Sequence, residues 1–290
     1  LLINVLGPLI VFVDNKMDAD RMLMAAVLFG VLAMASYLAC YKLSTERIAP
    51  PEHAKPKTDI RKTMRGLLKN KPLLWILTAS LIFMVNMMLI GTVNTYLFKN
   101  YFGDTAMLSV IGFVQAAAVL AATPLVKPLA ARFGKKELTS AGMALAAAVY
   151  LILFLFKDIG ALQFVAISAV GMFAMGLFNL IVWAFVTDVI DYHEYVTDLR
   201  EDATVYSIYS MARKVGQAIA GGVGGFAIGA VGYNAAMDVQ SRQTLDGIYA
   251  LATFVPAVMY FVILLILLFL YPLNKQRTLQ LSADLAERRK

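Results

Sequence analysis

The sequence predicts an all-α membrane protein that crosses the bilayer several times, and three observations carry that prediction. Sixty percent of its 290 residues are hydrophobic, 16% are charged and the mean hydropathy is +0.71; a soluble domain is nearer half apolar and a quarter charged. The apolar residues fall in blocks, and about 20 of them in a row are enough to cross roughly 30 Å of hydrocarbon. The Lys and Arg residues collect in alternate loops between those blocks, as orientation in a membrane requires.

Taken in order, the blocks are Met22–Leu43, Leu73–Phe98, Ala106–Val126, Leu138–Phe156, Ala161–Thr187, Thr204–Gly232 and Gly247–Tyr271, giving seven complete spans. Leu1–Val13 is apolar but too short to cross. It lacks the basic first region and cleavage site of a signal peptide, so it reads as the outer end of a truncated span. Cys40 is the single cysteine and lies inside a span, which excludes a disulfide framework.

The net charge of +7 is explained by topology and not by nucleic acid. The Lys42–Lys71 connection carries nine Lys and Arg, the Lys127–Glu137 turn four, and the tail after Pro272 five. The intervening loops hold only Lys16, Arg21, Lys99, Lys157 and Arg242. The Asp188–Ala203 loop has Arg200 alone, yet alternation places it inside. The linker and the carboxyl terminus are therefore expected in the cytoplasm of a multi-pass inner (plasma) membrane protein. Residues 1–43 form the end of a first bundle, 44–71 a linker, 72–271 a second bundle of six helices, and 272–290 a cytoplasmic tail. In the linker, Ile48–Pro56 with its three prolines reads as irregular chain. Thr58–Leu68 reads as a basic amphipathic helix on anionic lipid, with Ile60, Met64, Leu67 and Leu68 on one face.

Charge inside a span is expensive, which makes Thr204–Gly232 the most informative block. Arg213 and Lys214 stand about ten residues, or roughly 15 Å, from its inner end. Each costs on the order of 2.5–3.5 kcal/mol at mid-membrane unless it faces a cavity or a partner. No span interior contains an Asp or Glu, so countercharge must come from Asp188 and Asp191, from another bundle or from a ligand. Ser207, Ser210, Lys214, Gln217 and Gly221 recur at three- and four-residue steps and share one face, while Arg213 shares a neighbouring stripe with Tyr206 and Tyr209. Gly221, Gly225 and Gly229 are expected to admit a close helix neighbour. Asn86, Asn94, Gln115, Asn179 and Trp183 are further polar groups within spans. Each singly is more often helix-to-helix glue than ligand, and Trp183 also suits an interfacial anchor. Pro124 and Pro256 are expected to kink their helices.

Asp188–Asp202 reads DVIDYHEYVTDLRED. Asp188, Asp191 and Tyr195 share a helical face, Glu194 lies beside them and Arg200 follows; acids here are expected to pair with bases on a facing bundle. The stretch resembles the glycoside–pentoside–hexuronide:cation symporters, through D-x-x-D-Y-x-E-Y with an arginine twelve residues after the first Asp, and through Y-S-I-Y-S-M-A-R-K-x-G-Q-A at Tyr206–Ala218. N-T-Y-L-F-x-N-Y-F-G at Asn94–Gly103 extends the likeness, and the turn Arg132–Lys136 is a degraded copy of a general transporter loop, with Ala131 where an Asp is usual.

The resemblance implies a major facilitator-type bundle: here the complete second six-helix bundle plus helix six and part of helix five. It implies that Lys214 lies at the sugar and cation sites, that Tyr209 and Ser210 are sugar-side, and that Asp188, Asp191, Glu194 and Arg200 form a cytoplasmic gate. Asn179 stands where the melibiose permease has a sugar-facing tryptophan, so the substrate does not carry over. The implied activity is cation-coupled symport, driven by Na+ or H+, of a glycoside, pentoside or hexuronide by alternating access. The partners would be the sugar, a monovalent cation and membrane lipid, with no cofactor and no nucleic acid. A lipid or lysolipid carrier on the same fold is the alternative, and Ser207, Ser210 and Gln217 argue against so apolar a cavity. A non-transporting sensor would carry a signalling domain. An intramembrane enzyme is disfavoured because no metal spacing or Ser/His arrangement occurs and His53 and His193 fall in inner loops.

Overall fold

A computed structural model describes residues 10, 12–13, 16–17, 19–45, 66–67, 69–198, 200–237 and 239–288. The chain divides into two compact units, Leu1–Ile60 and Arg61–Lys290. The proline-rich stretch, His53 and nearly all of the expected amphipathic helix lie outside the described residues; of that helix, Gly66 and Leu67 are helical.

In the first unit, β1 (Phe12–Val13) and β2 (Lys16–Met17) form a two-residue antiparallel ladder with Phe12 opposite Met17. Phe12 and Val13 are thus extended, where the apolar run suggested the end of a helix; most of Leu1–Val13 lies outside the described residues. Helix α1 (Ala19–Leu43) follows, and of its residues only Ala25 is buried within the unit. Its apolar side chains point in every direction, which suits a helix surrounded by hydrocarbon.

The second unit is built from α2 (Lys71–Tyr96, continued by a π-turn over Leu97–Tyr101), α3 (Met107–Phe133), α4 (Lys135–Leu155), α5 (Ala161–Thr197), α6 (Asp202–Ala230), α7 (Arg242–Leu265, with a π-turn over Ile266–Leu270) and α8 (Lys275–Arg288). Helix α2 packs along α6 and α7, α4 along α5 and α7, and α3 along α5. Asn70 starts α2: its Oδ1 accepts from Leu73 N at 3.0 Å, and its Nδ2 donates to the Val189 carbonyl on α5 at 3.1 Å. Six of the described helices (α1 to α5 and α7) are long and apolar enough to cross a membrane. Helix α6 has the length, at 29 residues, but its polar stripe makes it less apolar.

Several boundaries differ from the sequence reading. The Lys127–Glu137 turn shrinks to Gly134: α3 runs to Phe133 through Pro124 and Pro128, and α4 begins at Lys135. Gly134 has φ 104°, a conformation that disfavours any side chain, and a Cβ there would meet Glu137 and Lys275. The Asp188–Ala203 loop is mostly helix, because α5 continues to Thr197 before Asp198 turns left-handed at φ 54°. Buried Val189, Ile190 and His193 give that extension an inward face. His193 is accordingly a buried helical residue and not a loop residue, with Nε2 3.0 Å from Glu201.

The expected tail is an ordered helix. In α8, Leu281 and Leu285 are buried against the bundle, and Arg288 lies over Tyr195 at 4.4 Å and pairs with Asp198 at 3.1 Å. Its two buried leucines are four residues apart, but its low overall apolarity hid it among charged tail residues.

Within the unit, the small residues of α6 that pack form a stripe beside the one expected. Gly221, Gly225 and Gly229 have nothing within 4 Å of an added Cβ, so they admit no neighbour within the unit. Gly216 and Gly224 do: a Cβ on Gly224 would stand 2.9 Å from Thr92 Oγ1, and one on Gly216 3.2 Å from Met84 Cβ. With Ala220 and Ile228 they make a four-residue repeat of small contacts that brings α6 against α2.

Candidate functional site

Helix α6 presents two faces. Val205, Tyr209, Gly216, Ala220, Gly224 and Ile228 are buried, while Ser207, Lys214 and Gly221 are exposed within the unit. Ser210, Arg213 and Gln217 lie between, half-buried. Ser207 Oγ bonds its own helix at Thr204 O, and Gln217 approaches Met84 Sδ at 4.0 Å. The shared face read from the sequence is therefore real geometry. Among the described residues, neither Arg213 nor Lys214 has a carboxylate within 4 Å.

Arg213 is held by rings instead. Its guanidinium lies 5.1 Å from the Trp183 ring and 5.9 Å from the Tyr209 ring. Trp183 on α5 is 41% exposed, stacks with Tyr206 at 5.6 Å and meets Tyr209 edge-on at 5.3 Å. The Tyr209 hydroxyl accepts from Ser80 on α2 at 3.4 Å. The structure thus joins Trp183, Tyr209 and Arg213 in one cluster, together with Tyr206. It shows Trp183 in ring contact with α6, a role that the interfacial reading missed. Ser80 was not singled out, since one serine in an apolar helix gives no sequence signal.

The other expected residues are not drawn into this cluster. Asn179 is one turn before Trp183 and half-buried, and Gln115 is half-buried on α3. Asn86 is fully buried, with neither amide atom bonded among the described residues.

The acids near the end of α5 separate into two groups. Asp188, 6% exposed, accepts from Lys135 Nζ at 2.6 Å. Arg200 collects the rest: its Nη1 donates to Glu194 at 2.8 Å and Asp191 at 3.0 Å, and its Nε to Asp202 at 3.0 Å. Burial alone would lower the Arg200 pKa, but these hydrogen bonds to Glu194, Asp191 and Asp202 raise it above the usual arginine value. Within this unit the bases at hand are Lys135 and Arg200, and the expected pairing with a facing bundle lies outside the described residues. Lys135 is the first residue of α4, directly after the Gly134 turn. Tyr271 packs edge-on against Phe185 at 5.1 Å.

An exposed lysine and a ring-held arginine thus stand side by side on α6, next to the partly exposed Trp183 ring. Residues 1–275 match the family of MFS/sugar transport proteins, and the chain belongs to it. It is 30% identical over 284 residues to an uncharacterized symporter of Bacillus subtilis (strain 168), covering 97% of this chain and 60% of that protein. It is 26% identical over 266 residues to a glucuronide carrier protein homolog of Escherichia coli (strain K12), covering 91% and 57%, and 28% identical over 273 residues to an isoprimeverose transporter of Lactiplantibacillus pentosus, covering 93% and 56%. The chain spans about three fifths of the length of these curated relatives. This is a multi-pass membrane chain of a transporter family and not of an enzyme family.

Proposed function

We propose that the full-length protein is a secondary transporter that carries a glycoside, pentoside or hexuronide by Na+- or H+-coupled symport through alternating access. In this reading the chain contributes the second bundle. The single observation that supports it is the pair Arg213 and Lys214, charged within an apolar helix and without an acid among the described residues. A charge in a membrane persists where it faces a cavity, a partner or a permeant ion. The names of the relatives, a glucuronide carrier homolog and an isoprimeverose transporter, point to sugars.

On this proposal Lys214 balances charge beside carboxylates of the first bundle, and the coupling cation neutralises those carboxylates when sugar binds. Tyr209, Ser210, Ser207 and Gln217 flank the pathway. Asp188, Asp191, Glu194 and Arg200, on the side that charge alternation assigns to the cytoplasm, form the gate that closes it. The test is counterflow by the full-length protein in membrane vesicles, with a panel of neutral and acidic sugars under Na+ or H+ gradients. Exchange of at least one sugar, stimulated by one of the two ions, is expected. No exchange of any sugar contradicts the proposal.

A further inference from the structure

Arg213 is unusual in what it touches. Two aromatic side chains lie against its guanidinium, Trp183 at 5.1 Å and Tyr209 at 5.9 Å, and no carboxylate of the described residues lies within 4 Å. The two rings are fixed in turn. Trp183 contacts both Tyr206 and Arg213, seven residues apart on α6, and its plane lies 27° from that of Tyr206. Tyr209 stands edge-on to Trp183 at 72°, is 1% exposed and bonds to Ser80 on α2. Three helices thereby set the position of one guanidinium.

One N–H of the guanidinium is engaged by the Tyr209 hydroxyl. Its remaining in-plane donors form a fork whose geometry matches the two oxygens of a carboxylate. Arginine suits this better than lysine because it is more weakly hydrated and stacks on rings. Lys214, the next residue, is exposed and adds a second positive charge. With Lys214 assigned to first-bundle carboxylates, a neutral sugar would leave Arg213 with no anion among the described residues.

Resting on the transport reading above and deepening it, we infer that Trp183 is a positioning residue. It holds Arg213 in register for a carboxylate on the sugar, so that the transporter selects an acidic glycoside over its neutral counterpart. Tyr206 backs the indole and Tyr209 fixes the near edge. Trp183 need not touch the sugar; it acts through Arg213.

The experiment is counterflow by the full-length protein with methyl glucuronide and methyl glucoside, in the wild type, Trp183→Ala, Trp183→Tyr and Arg213→Lys. The wild type is expected to favour the acid by about tenfold or more, the scale of one charge-assisted contact. Trp183→Ala should raise KM for the glucuronide about tenfold, with Vmax within about twofold and the glucoside unchanged. Trp183→Tyr should restore most of the preference, because a ring remains to stack. Arg213→Lys should lose it, because charge alone lacks the fork. Equal handling of the two sugars by the wild type overturns the inference while transport stands. So does a Trp183→Ala defect that lowers Vmax for both sugars alike, which is the mark of a merely structural role. Failure of any sugar in the wider panel to exchange removes the transport reading itself, and the inference with it.

Discussion

Two arginines thirteen residues apart occupy opposite chemical situations. Arg200, between α5 and α6, binds Asp191, Glu194 and Asp202 within 3.0 Å. Arg213, inside α6, has aromatic faces and no carboxylate among the described residues. The first is satisfied by its own unit and ties the end of α5 to the start of α6. The second is held by rings and has no carboxylate among the described residues. On the proposed function, the saturated cation is a brace and the unsaturated one meets the solute.

The largest effect that separates the two regions is expected at Lys214, which shares the unsaturated stretch. Lys214→Ala in the full-length protein should cut counterflow about 30-fold or more, the scale of losing one partner of a desolvated charge pair. Accumulation of sugar against a gradient by that variant breaks the comparison.

Next comes the buried acid. Asp188→Ala leaves Lys135 without its partner, and a thermal melt in detergent should show a loss of about 2–3 kcal/mol. That is below the range for a fully buried pair, because the Lys135 side chain is 34% exposed. An unchanged melt would mean that the pair contributes nothing.

Packing beneath the polar stripe gives a smaller effect. Gly224→Val drives a side chain into Thr92 and should cost about 1–3 kcal/mol in the same melt. Gly221→Ala, with nothing within 4 Å inside the unit, serves as its control. Equal losses at both positions would show that the packed face was misassigned.

The smallest stability effect is expected at Arg200. Its side chain is 41% exposed, so each ion pair there contributes about 1 kcal/mol or less. Because its hydrogen bonds keep Arg200 charged beyond the ordinary range, deprotonation of this group should give the melt no pH dependence between about 5 and 9. A transition in that window present in the wild type and absent in Arg200→Gln would contradict this.

Much of this contrast was legible in the sequence. The spans, the shared face of Ser207, Ser210, Lys214 and Gln217, and the stripe of Arg213 with Tyr206 and Tyr209 follow from helical period and the cost of burying charge. The grouping of Asp191, Glu194 and Arg200 was implied by the family resemblance, whereas the residues alone pointed the acids toward a facing bundle. What the sequence hid depends on contact between helices. Lys135 as the partner of Asp188, Trp183 over Arg213, and Ser80 beneath Tyr209 each join residues 30 or more positions apart, and no local period encodes such pairs. Which small-residue stripe packs within the unit was hidden for the same reason. Gly221, Gly225 and Gly229 and the Gly216, Ala220, Gly224 series have the same four-residue period, and only the neighbour α2 decides which one packs. Helix α8 escaped because its few leucines and alanines are scattered in a polar and charged segment, and they do not stand out before the docking surface of Leu281 and Leu285 is known.

The central claim is that the cation lacking acids is the one that meets the solute. The most direct measurement is binding affinity for a transported sugar in full-length Arg213→Gln and Arg200→Gln. The account predicts a loss of about tenfold or more, or 1.4 kcal/mol, for Arg213→Gln, and a change within about twofold for Arg200→Gln. Equal losses in the two variants, or a loss confined to Arg200→Gln, would contradict it.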